Sequence, residues 1–246
     1  MIHSILIVGQ SNMAGRGVLE QAPALKNQDR IFVARNCKWV NFFRPVNPDR
    51  VFSGVCLAET FADLYAEEHD VSVGIIPCAD GGTCIDQWMP GEVLFENAVN
   101  CAKLCQKDSS LVAILWHQGE ADSTEEKYPV YLEKLKTVMA EFKNRLGKDI
   151  PIVVGELGEY LTNYPKCADH FNKINQSINE FAKMTDGVAL ASSKGLTDKG
   201  DSLHFNTKSL EEFAKRYYKA FKSIENKNLY KNGKNHSFSM TEMEKL

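Results

Sequence analysis

The stretch SILIVGQSNMAGRG, residues 4–17, passes from a short apolar run directly into a loop rich in glycine and polar side chains. The run Ser4–Val8 has the length of a strand and no apolar-polar alternation, which is typical of a strand buried on both faces. In the loop, Ser11 stands between the amide side chains of Gln10 and Asn12. Ligands of α/β proteins bind where parallel strands end. The stretch therefore predicts the first strand of an α/β fold with a candidate site at its end.

The rest of the chain alternates similar apolar runs with amphipathic segments. Further strands are predicted at Arg30–Ala34, Val71–Pro77, Leu111–His117, Ile150–Leu157 and Gly187–Ser192. Helices are predicted at Cys56–His69, Gly91–Lys107, Glu125–Gly147, Cys167–Thr185 and Thr207–Ile224. This alternation predicts an α/β fold with a parallel sheet covered by helices on both sides. We assign residues 1–224 to a single domain and the Lys/Asn-rich residues 225–246 to a peripheral or partly disordered tail.

The bulk composition narrows the class of protein. The 246 residues are 43% hydrophobic and 25% charged, and the net charge of −3 comes without a basic cluster, which argues against nucleic-acid binding. The apolar runs are too short for a membrane span, and the N-terminus lacks the basic region of a signal peptide. The seven cysteines form no Cys-x-x-Cys pair and fit buried thiols in a reducing compartment. We expect a cytoplasmic protein without nucleic-acid or membrane partners; the sequence indicates no oligomeric state.

Four loops that follow predicted strands collect glycine and polar side chains. They are GQSNMAGRG (9–17), CADGGTCIDQW (78–88), QGEAD (118–122) and TDKGDSLHFN (197–206). Because the carboxyl ends of parallel strands meet at one edge of the sheet, we expect these loops to share a rim. A purely structural loop needs turn formers, but it does not need Ser, Gln, Glu, Asp and His gathered in one place. This rim is therefore the candidate site.

Ser11 is the candidate nucleophile of this rim. A serine hydroxyl is weakly nucleophilic at neutral pH and needs a base, usually a histidine that a carboxylate orients. Asp201 and His204 stand three residues apart and can lie side by side, so that His204 faces Ser11. His117 is the rival base, but it closes an apolar strand without a carboxylate at an obvious partnering distance, which favours a packing role. The Gly-x-Ser-x-Gly elbow of α/β hydrolases is absent, since Met13 stands where that motif has glycine.

Hydrolysis of an ester also requires donors directed at the developing oxyanion. The backbone N–H of Ser11 is one candidate. Gly81 or Gly82 is the second, because a residue without a side chain lets the backbone approach closely. The third is the side-chain amide of Gln118, which follows a buried strand, where an amide needs a partner. Glu120 and Asp122 are predicted to orient their neighbours or to bind sugar hydroxyls.

Cofactor and metal sites are weaker interpretations of the same loops. The glycine spacing of residues 9–17 fits neither Gly-x-x-x-x-Gly-Lys-Ser/Thr nor Gly-x-Gly-x-x-Gly, which argues against a nucleotide or flavin. The run HQGEAD, residues 117–122, contains side chains that can bind metal, but their spacing matches no helix-based metal motif. We therefore predict no cofactor and no metal.

Taken together, four blocks resemble the SGNH hydrolase superfamily, and more narrowly its carbohydrate acetylesterases. The blocks are GQSNM (9–13), PCADGGTCIDQW (77–88), WHQGEAD (116–122) and DSLHFN (201–206), in family order. This branch includes the family 6 acetyl xylan esterases and the sialate O-acetylesterases. The resemblance implies a three-layer α/β/α sandwich with a flavodoxin-like parallel sheet. It also implies a carboxylic ester hydrolase that removes O-acetyl groups from carbohydrates without a metal or cofactor.

The resemblance further implies a role for each matched residue. Ser11 would be the nucleophile, His204 the base and Asp201 the residue that orients the base. Gly81 or Gly82 and Gln118 would donate to the oxyanion beside the Ser11 amide, with Gln118 where many other members have asparagine. Residues expected to bind substrate or support the site are Gln10, Asn12, Met13, Glu120 and Trp88.

The substrate and two departures from the family pattern stay open at this point. Asp80 adds a negative charge beside the glycine pair, and Cys84 stands where such enzymes often have serine. Trp39, Trp88 and Phe205 are candidates for a sugar-stacking wall. Acetylated xylo-oligosaccharides are the first substrate prediction and sialate esters the second. The alternatives from other classes are a carbohydrate-binding protein that kept the pocket without catalysis and a flavodoxin-like nucleotide or redox protein.

Overall fold

A seven-stranded sheet forms the centre of the computed structural model, which describes residues 1–36 and 38–225. The strands are β1 (Ile2–Gly9), β2 (Ile31–Arg35), β3 (Lys38–Asn41), β4 (Ser72–Pro77), β5 (Ser109–His117), β6 (Ile152–Gly155) and β7 (Val188–Ala191). The helices are α1 (Ser11–Ala14), α2 (Leu57–His69), α3 (Val93–Cys105), α4 (Tyr128–Leu146), α5 (Phe171–Met184) and α6 (Thr207–Ile224). Except for Glu225, the predicted tail lies outside the described residues.

The strand order confirms the flavodoxin-like prediction and corrects one detail of it. The order is β3-β2-β4-β1-β5-β6-β7, and all neighbours are parallel except β2 and β3. The sheet is therefore mixed, with an antiparallel edge strand that the sequence did not predict. When the β2–β3 hairpin is set aside, the five remaining strands follow the order 2-1-3-4-5, which is that of flavodoxin.

The helices form the two outer layers of a three-layer α/β/α sandwich. Helix α2 packs against α6, and α4 packs against both α3 and α5. The buried side of α6 carries Leu210, Phe213, Tyr217 and Phe221 at the three- and four-residue spacing of one helix face. In the described part of the chain, no helix combines the length and apolarity that crossing a membrane requires.

The ends of β1 and β5 meet where the strand order reverses, and this contact positions the loops of interest. Gly9 ends β1 at a φ of +126°, and a Cβ there would lie 2.1 Å from the carbonyl oxygen of His117. The N–H of Gln10 donates to that same carbonyl at 2.9 Å. Only glycine permits this approach, so the loop after β1 begins directly beside the loop after β5.

Candidate active site

Ser11 begins the one-turn helix α1 directly after β1, and its hydroxyl lies beside an imidazole from the far end of the chain. Ser11 Oγ is 3.1 Å from His204 Nε2, and His204 Nδ1 is 2.7 Å from Asp201 Oδ2. Burial raises the pKa of the Asp201 carboxyl, but hydrogen bonds from His204 and Leu203 outweigh it and leave the pKa below its usual value. An ionised carboxylate only accepts, so Nδ1 carries the proton and Nε2 is left to accept from Ser11.

Asn12 ties the serine loop to the histidine loop. Its Nδ2 donates to the carbonyl of Leu203 at 3.1 Å, and its Oδ1 accepts from the N–H of Phe205 at 3.1 Å. These two backbone groups flank His204 on either side. These bonds fix the backbone on both sides of His204, and thereby hold its imidazole, against the loop that carries Ser11.

Gln10 makes the corresponding connection to the loop after β5. Its Oε1 accepts from the backbone N–H of Gly119 at 3.2 Å and of Ala121 at 3.4 Å. Met13 is fully buried and belongs to the hydrophobic core beneath α1. Gln10 and Asn12 therefore brace the site through their amides, whereas Met13 supports it by packing.

A cleft of about 420 Å³ lies beside these loops, and its lining includes Ser11, Gly81, Gly82 and His204. Glu120 also lines this cleft and pairs with the rival histidine. Its Oε1 accepts from Asn12 Nδ2 at 2.5 Å and lies 3.2 Å from His117 Nε2. Burial raises the pKa of Glu120, but His117 and Asn12 together hold it below its ordinary value. The expectation that His117 lacks a carboxylate partner is therefore wrong. Its ring is fully buried, and its nitrogens face Glu120 and Tyr217 instead of Ser11.

Gln118 is near the site, but its amide is directed elsewhere. Its Nε2 lies 2.5 Å from Asp122 Oδ2, 3.1 Å from the carbonyl of Thr83 and 3.3 Å from Gln10 Oε1. The side chain is fully buried and does not line the cleft. An amide nitrogen has two hydrogens, and these acceptors take both. The structure therefore does not bring Gln118 to the reacting atoms, because the buried carboxylate of Asp122 engages it.

The glycine loop after β4 does lie against Ser11. Gly81 and Gly82 both line the cleft, and a Cβ added to Gly81 would lie 3.5 Å from Ser11 Cβ. The N–H of Gly81 already donates to Asp49 Oδ2 at 2.9 Å. That carboxylate also receives the guanidinium of Arg16 at 2.7 Å and 3.0 Å.

The segment 47–50, which the sequence did not identify as part of the site, contacts this glycine loop through three of its four residues. Its members Asn47, Asp49 and Arg50 bond to residues 79–81. The segment follows no predicted strand, whereas the candidate loops were those at the ends of predicted strands. Its only local signal is a turn-forming Asn-Pro-Asp-Arg run with two charges, and such runs are common in solvated turns.

The prediction that Trp39, Trp88 and Phe205 form a sugar-stacking wall is wrong. Trp88 is fully buried, donates from Nε1 to Thr83 Oγ1 at 3.1 Å and therefore supports the glycine loop from behind. Phe205 is also fully buried, and Trp39 lies on β3 outside the cleft. These rings are used for packing. The aromatic residues that line the cleft are Phe52 and Tyr164.

The two departures from the family pattern have local partners. Asp80 Oδ1 pairs with Arg50 at 2.7 Å, so its charge is balanced beside the site. Cys84 Sγ lies 3.6 Å from Gln87 Oε1. Cys84 also lies near Asp86 and Asp122, with ligand atoms within 4.8 Å of one another, but the cleft does not include this group. A metal-free site stays a prediction.

The chain is similar to known proteins over most of its length. A family model described as "carbohydrate esterase, sialic acid-specific acetylesterase" matches residues 2–223, which include all four sequence blocks. A probable carbohydrate esterase from Arabidopsis thaliana is 25% identical over 233 residues, covering 83% of this chain and 84% of its own.

Several solved protein structures share the fold of this chain. An Arabidopsis thaliana protein has a TM-score of 0.79 at 24% identity, covering 91% of this chain and 99% of its own. NanS has a TM-score of 0.71 at 15% identity, with 90% and 97% covered. A carbohydrate acetylesterase from Xanthomonas citri has a TM-score of 0.66 at 17% identity, with 91% and 56% covered. At these identities the likeness supports the fold alone.

Proposed function

Because the chain belongs to the carbohydrate esterase family of sialic acid-specific acetylesterases, and is thus a carboxylic ester hydrolase for O-acetylated carbohydrates, we propose that Ser11, His204 and Asp201 catalyse its reaction. The observation that carries this proposal is the continuous hydrogen-bond chain from Ser11 Oγ through His204 to Asp201, at 3.1 Å and 2.7 Å. A serine, an imidazole and an ionised carboxylate in this order form the arrangement that activates a hydroxyl for acyl transfer.

The first half-reaction transfers the acetyl group to the protein. Ser11 Oγ bonds to the ester carbonyl carbon as its proton passes to His204 Nε2, and the carbonyl oxygen becomes an oxyanion. Backbone N–H groups of Ser11 and the glycine loop stabilise this oxyanion. The tetrahedral intermediate collapses when the bond to the sugar oxygen breaks, and His204 gives the proton to that oxygen. The deacetylated sugar leaves as an alcohol.

The second half-reaction restores the serine. A water molecule gives a proton to His204 Nε2 and bonds to the acetyl carbon, which forms a second oxyanion. Collapse breaks the bond to Ser11 Oγ, which regains its proton from His204. Acetic acid leaves and gives its own proton to solvent as it ionises to acetate. Asp201 keeps the imidazole oriented and stabilises its charged form through both steps without taking the proton itself.

Two acetylated sugars are the candidates for the natural substrate. Acetylated xylo-oligosaccharide is the candidate from the sequence resemblance. O-acetyl sialic acid is the second, which is favoured by the description of the matching family and by Lys166, a cationic side chain that lines the cleft. Sialic acid carries a carboxylate that an ammonium attracts, whereas xylose is neutral. Turnover of both substrates by the wild type and by Lys166→Met decides between them. If O-acetyl sialic acid is the substrate, the wild type turns it over faster than the xylo-oligosaccharide, and Lys166→Met loses part of that activity.

The catalytic proposal is tested by Ser11→Ala. We expect hydrolysis of a neutral aryl acetate to fall by roughly 10³-fold or more, because the nucleophile is absent. Thermal unfolding is expected to change little, since the substitution removes one oxygen and no core atom. Activity at the wild-type rate in Ser11→Ala would contradict the nucleophile assignment.

A carbohydrate-binding protein without catalysis is the competing function. A fluorophosphonate probe separates the two functions, because it modifies a serine only when a base activates it. We expect labelling of the wild type at Ser11 and no labelling of His204→Ala. Sugar binding without any labelling of the wild type would favour the competing function.

A further inference from the structure

We propose that Asp49 and Arg50 are positioning residues that fix the Gly81–Gly82 peptide so that the N–H of Gly82, and not that of Gly81, receives the oxyanion. The inference rests on the proposed function, since an oxyanion forms only if Ser11 attacks an ester. The inference goes beyond the proposed function because it identifies which N–H donates to the oxyanion and which residues position that N–H. Neither positioning residue touches the reacting atoms in this assignment.

The N–H of Gly81 is already engaged. It donates to Asp49 Oδ2 at 2.9 Å, and that oxygen also lies 2.7 Å from the Arg16 guanidinium. Both side chains of this ion pair are buried, with 5% of Asp49 and 2% of Arg16 exposed. Burial raises the pKa of Asp49, but Arg16 and the hydroxyl of Ser53 outweigh it, so the pKa stays below its usual value and the carboxylate is an anion. Turning the Gly81 N–H toward substrate would leave a buried anion short of a donor.

The next peptide unit is oriented by Arg50. One guanidinium nitrogen of Arg50 donates to the carbonyl of Gly81 at 2.8 Å, and the other donates to Asp80 Oδ1 at 2.7 Å. In a trans peptide, the carbonyl oxygen of one residue and the N–H of the next point in opposite directions. Holding the Gly81 carbonyl therefore also aims the Gly82 N–H, which lies in the same peptide plane and points the opposite way.

The Gly82 N–H is the unengaged donor of the glycine loop that belongs to a residue of the cleft. Among the described residues, no acceptor is assigned to the N–H groups of Gly82 and Thr83, and of these two residues Gly82 lines the cleft whereas Thr83 does not. Asn47 bonds to both the N–H and the carbonyl of Ala79, at 3.0 Å and 2.9 Å. On the other side, the carbonyl of Thr83 accepts from Gln118 at 3.1 Å. Gly82 has a φ of +79°, and no atom lies within 4 Å of the position that a Cβ would occupy there.

The buried ion pair also joins the two halves of the site. Arg16 follows the helix α1 that begins with Ser11, and Asp49 receives both Arg16 and the Gly81 N–H. The serine loop and the glycine loop are thereby tied to one carboxylate. Donors that are fixed before the reaction need no reorganisation when the charge develops, which is why such positioning raises the rate.

Side-chain variants form the first part of the test. We expect Arg50→Gln to lower kcat on a neutral aryl acetate by about 10- to 100-fold and to leave KM within about twofold, because the donor matters mainly when the oxyanion forms. Arg50→Lys keeps the positive charge but loses the paired donors of the planar guanidinium, so its kcat should lie between those of Arg50→Gln and the wild type. The matched control is Arg30→Gln, whose partner Asp70 is a surface residue, and its kcat should equal that of the wild type.

Asp49→Asn tests the role of the buried carboxylate. The measurement is kcat per folded molecule, which a loss of stability alone would not change. We expect a fall in kcat per folded molecule, measured after titrating active serines with a fluorophosphonate. If Asp49→Asn fails to fold, Arg50→Gln still decides, because Arg50 is partly exposed. Unchanged kcat in Arg50→Gln, or a loss that appears only as a raised KM, would overturn the positioning role.

Backbone esters form the second part and test the donor directly. Replacing Gly82 by glycolic acid removes its N–H without changing a side chain, and we expect kcat to fall by roughly 10²- to 10³-fold. The same replacement at Gly81 removes the hydrogen bond to Asp49, and we expect it to lower kcat clearly less than the replacement at Gly82 does. A larger loss at Gly81 than at Gly82 would reverse the donor assignment.

The outcomes for the inference and for the proposed function are distinguishable. If Ser11→Ala keeps wild-type activity, the proposed function fails. If Ser11→Ala is inactive while Arg50→Gln and the ester at Gly82 both keep wild-type kcat, only the inference fails.

Discussion

His117 and His204 each lie beside a carboxylate, yet their surroundings give them different chemistry. His204 has one nitrogen at Asp201 and the other at Ser11, at the wall of the cleft. His117 is fully buried, with Glu120 at one nitrogen and Tyr217 at the other. A base needs both a partner that orients it and access to the proton it takes. Only His204 has that access to Ser11.

The two histidines are compared by alanine substitution. We expect His204→Ala to lower kcat by roughly 10³-fold or more with little change in stability. We expect His117→Ala to lower the free energy of unfolding by about 2–4 kcal/mol, because it opens a cavity and leaves buried Glu120 short of a partner. Activity per folded molecule should stay within about tenfold of wild type. Rates and urea unfolding measure both effects, and a folded, inactive His117→Ala would contradict the assignment of the base.

At the scale of elements, helix α6 and the loop that carries His204 are joined through one residue. Asn206 caps α6 by accepting from the N–H of Ser209 at 2.8 Å. Its Nδ2 donates back to Thr197 Oγ1 at 2.7 Å and to the carbonyl of Asp198 at 3.1 Å. The cap therefore fixes the start of the helix and closes the base of the loop that presents the imidazole.

Asn206→Ala tests this cap. We expect it to lower the free energy of unfolding by about 1–2 kcal/mol, since it removes the cap acceptor of an α-helix. Asn206→Asp keeps the acceptor and loses the donor, so it should recover most of the stability but less of the activity. Urea unfolding and aryl acetate turnover of the three proteins provide the comparison. Equal stability of Asn206→Ala and wild type would show that the cap contributes nothing.

Elements with a strong apolar pattern were predictable, and elements without one were not. Helix α6 has the predicted bounds, Thr207–Ile224, because its buried face repeats at helical spacing. Strand β3 was missed because Lys38–Asn41 is a half-exposed edge strand without an apolar run. Helix α5 begins at Phe171 instead of the predicted Cys167, because the residues before it form turns.

At the scale of the whole molecule, strand β1 joins the core to the site and carries a buried histidine near its start. His3 Nδ1 lies 2.9 Å from the hydroxyl of Tyr65 on α2. Burial lowers the pKa of His3 to about 4, with further contributions from the positive charges of His69 and the N-terminus and an opposing one from Glu225. The folded protein therefore keeps His3 neutral at pH values where an unfolded chain protonates it.

This difference predicts a loss of stability in mild acid. An unfolded histidine takes up its proton near pH 6.5, so the unfolded state gains protons first as the pH falls. We expect the free energy of unfolding to fall by about 1–2 kcal/mol between pH 7 and pH 5 from this residue alone. Urea unfolding at the two pH values measures it. His3→Gln should show a correspondingly smaller decrease, and an identical decrease in that variant would assign the effect to other groups.

The sequence by itself determined the fold class and the identity of the chemistry-bearing loops. Apolar runs and amphipathic helices follow from local periodicity, and the carboxyl ends of parallel strands must share one edge. Ser11, Asp201 and His204 could therefore be chosen as candidates, although residues 11 and 204 are far apart in the chain. Their side-chain types and the order of the four blocks carried that choice.

Only the tertiary structure decided how the polar groups divide among their partners. Gln118 is engaged by Asp122, Trp88 is used for packing, and Asp49 takes the Gly81 N–H. A donor has few hydrogens, and which acceptor takes them depends on distances between segments that are remote in sequence. Arg50 illustrates the same limit, because its hydrogen bond to the carbonyl of Gly81 spans 31 positions and no local pattern encodes it.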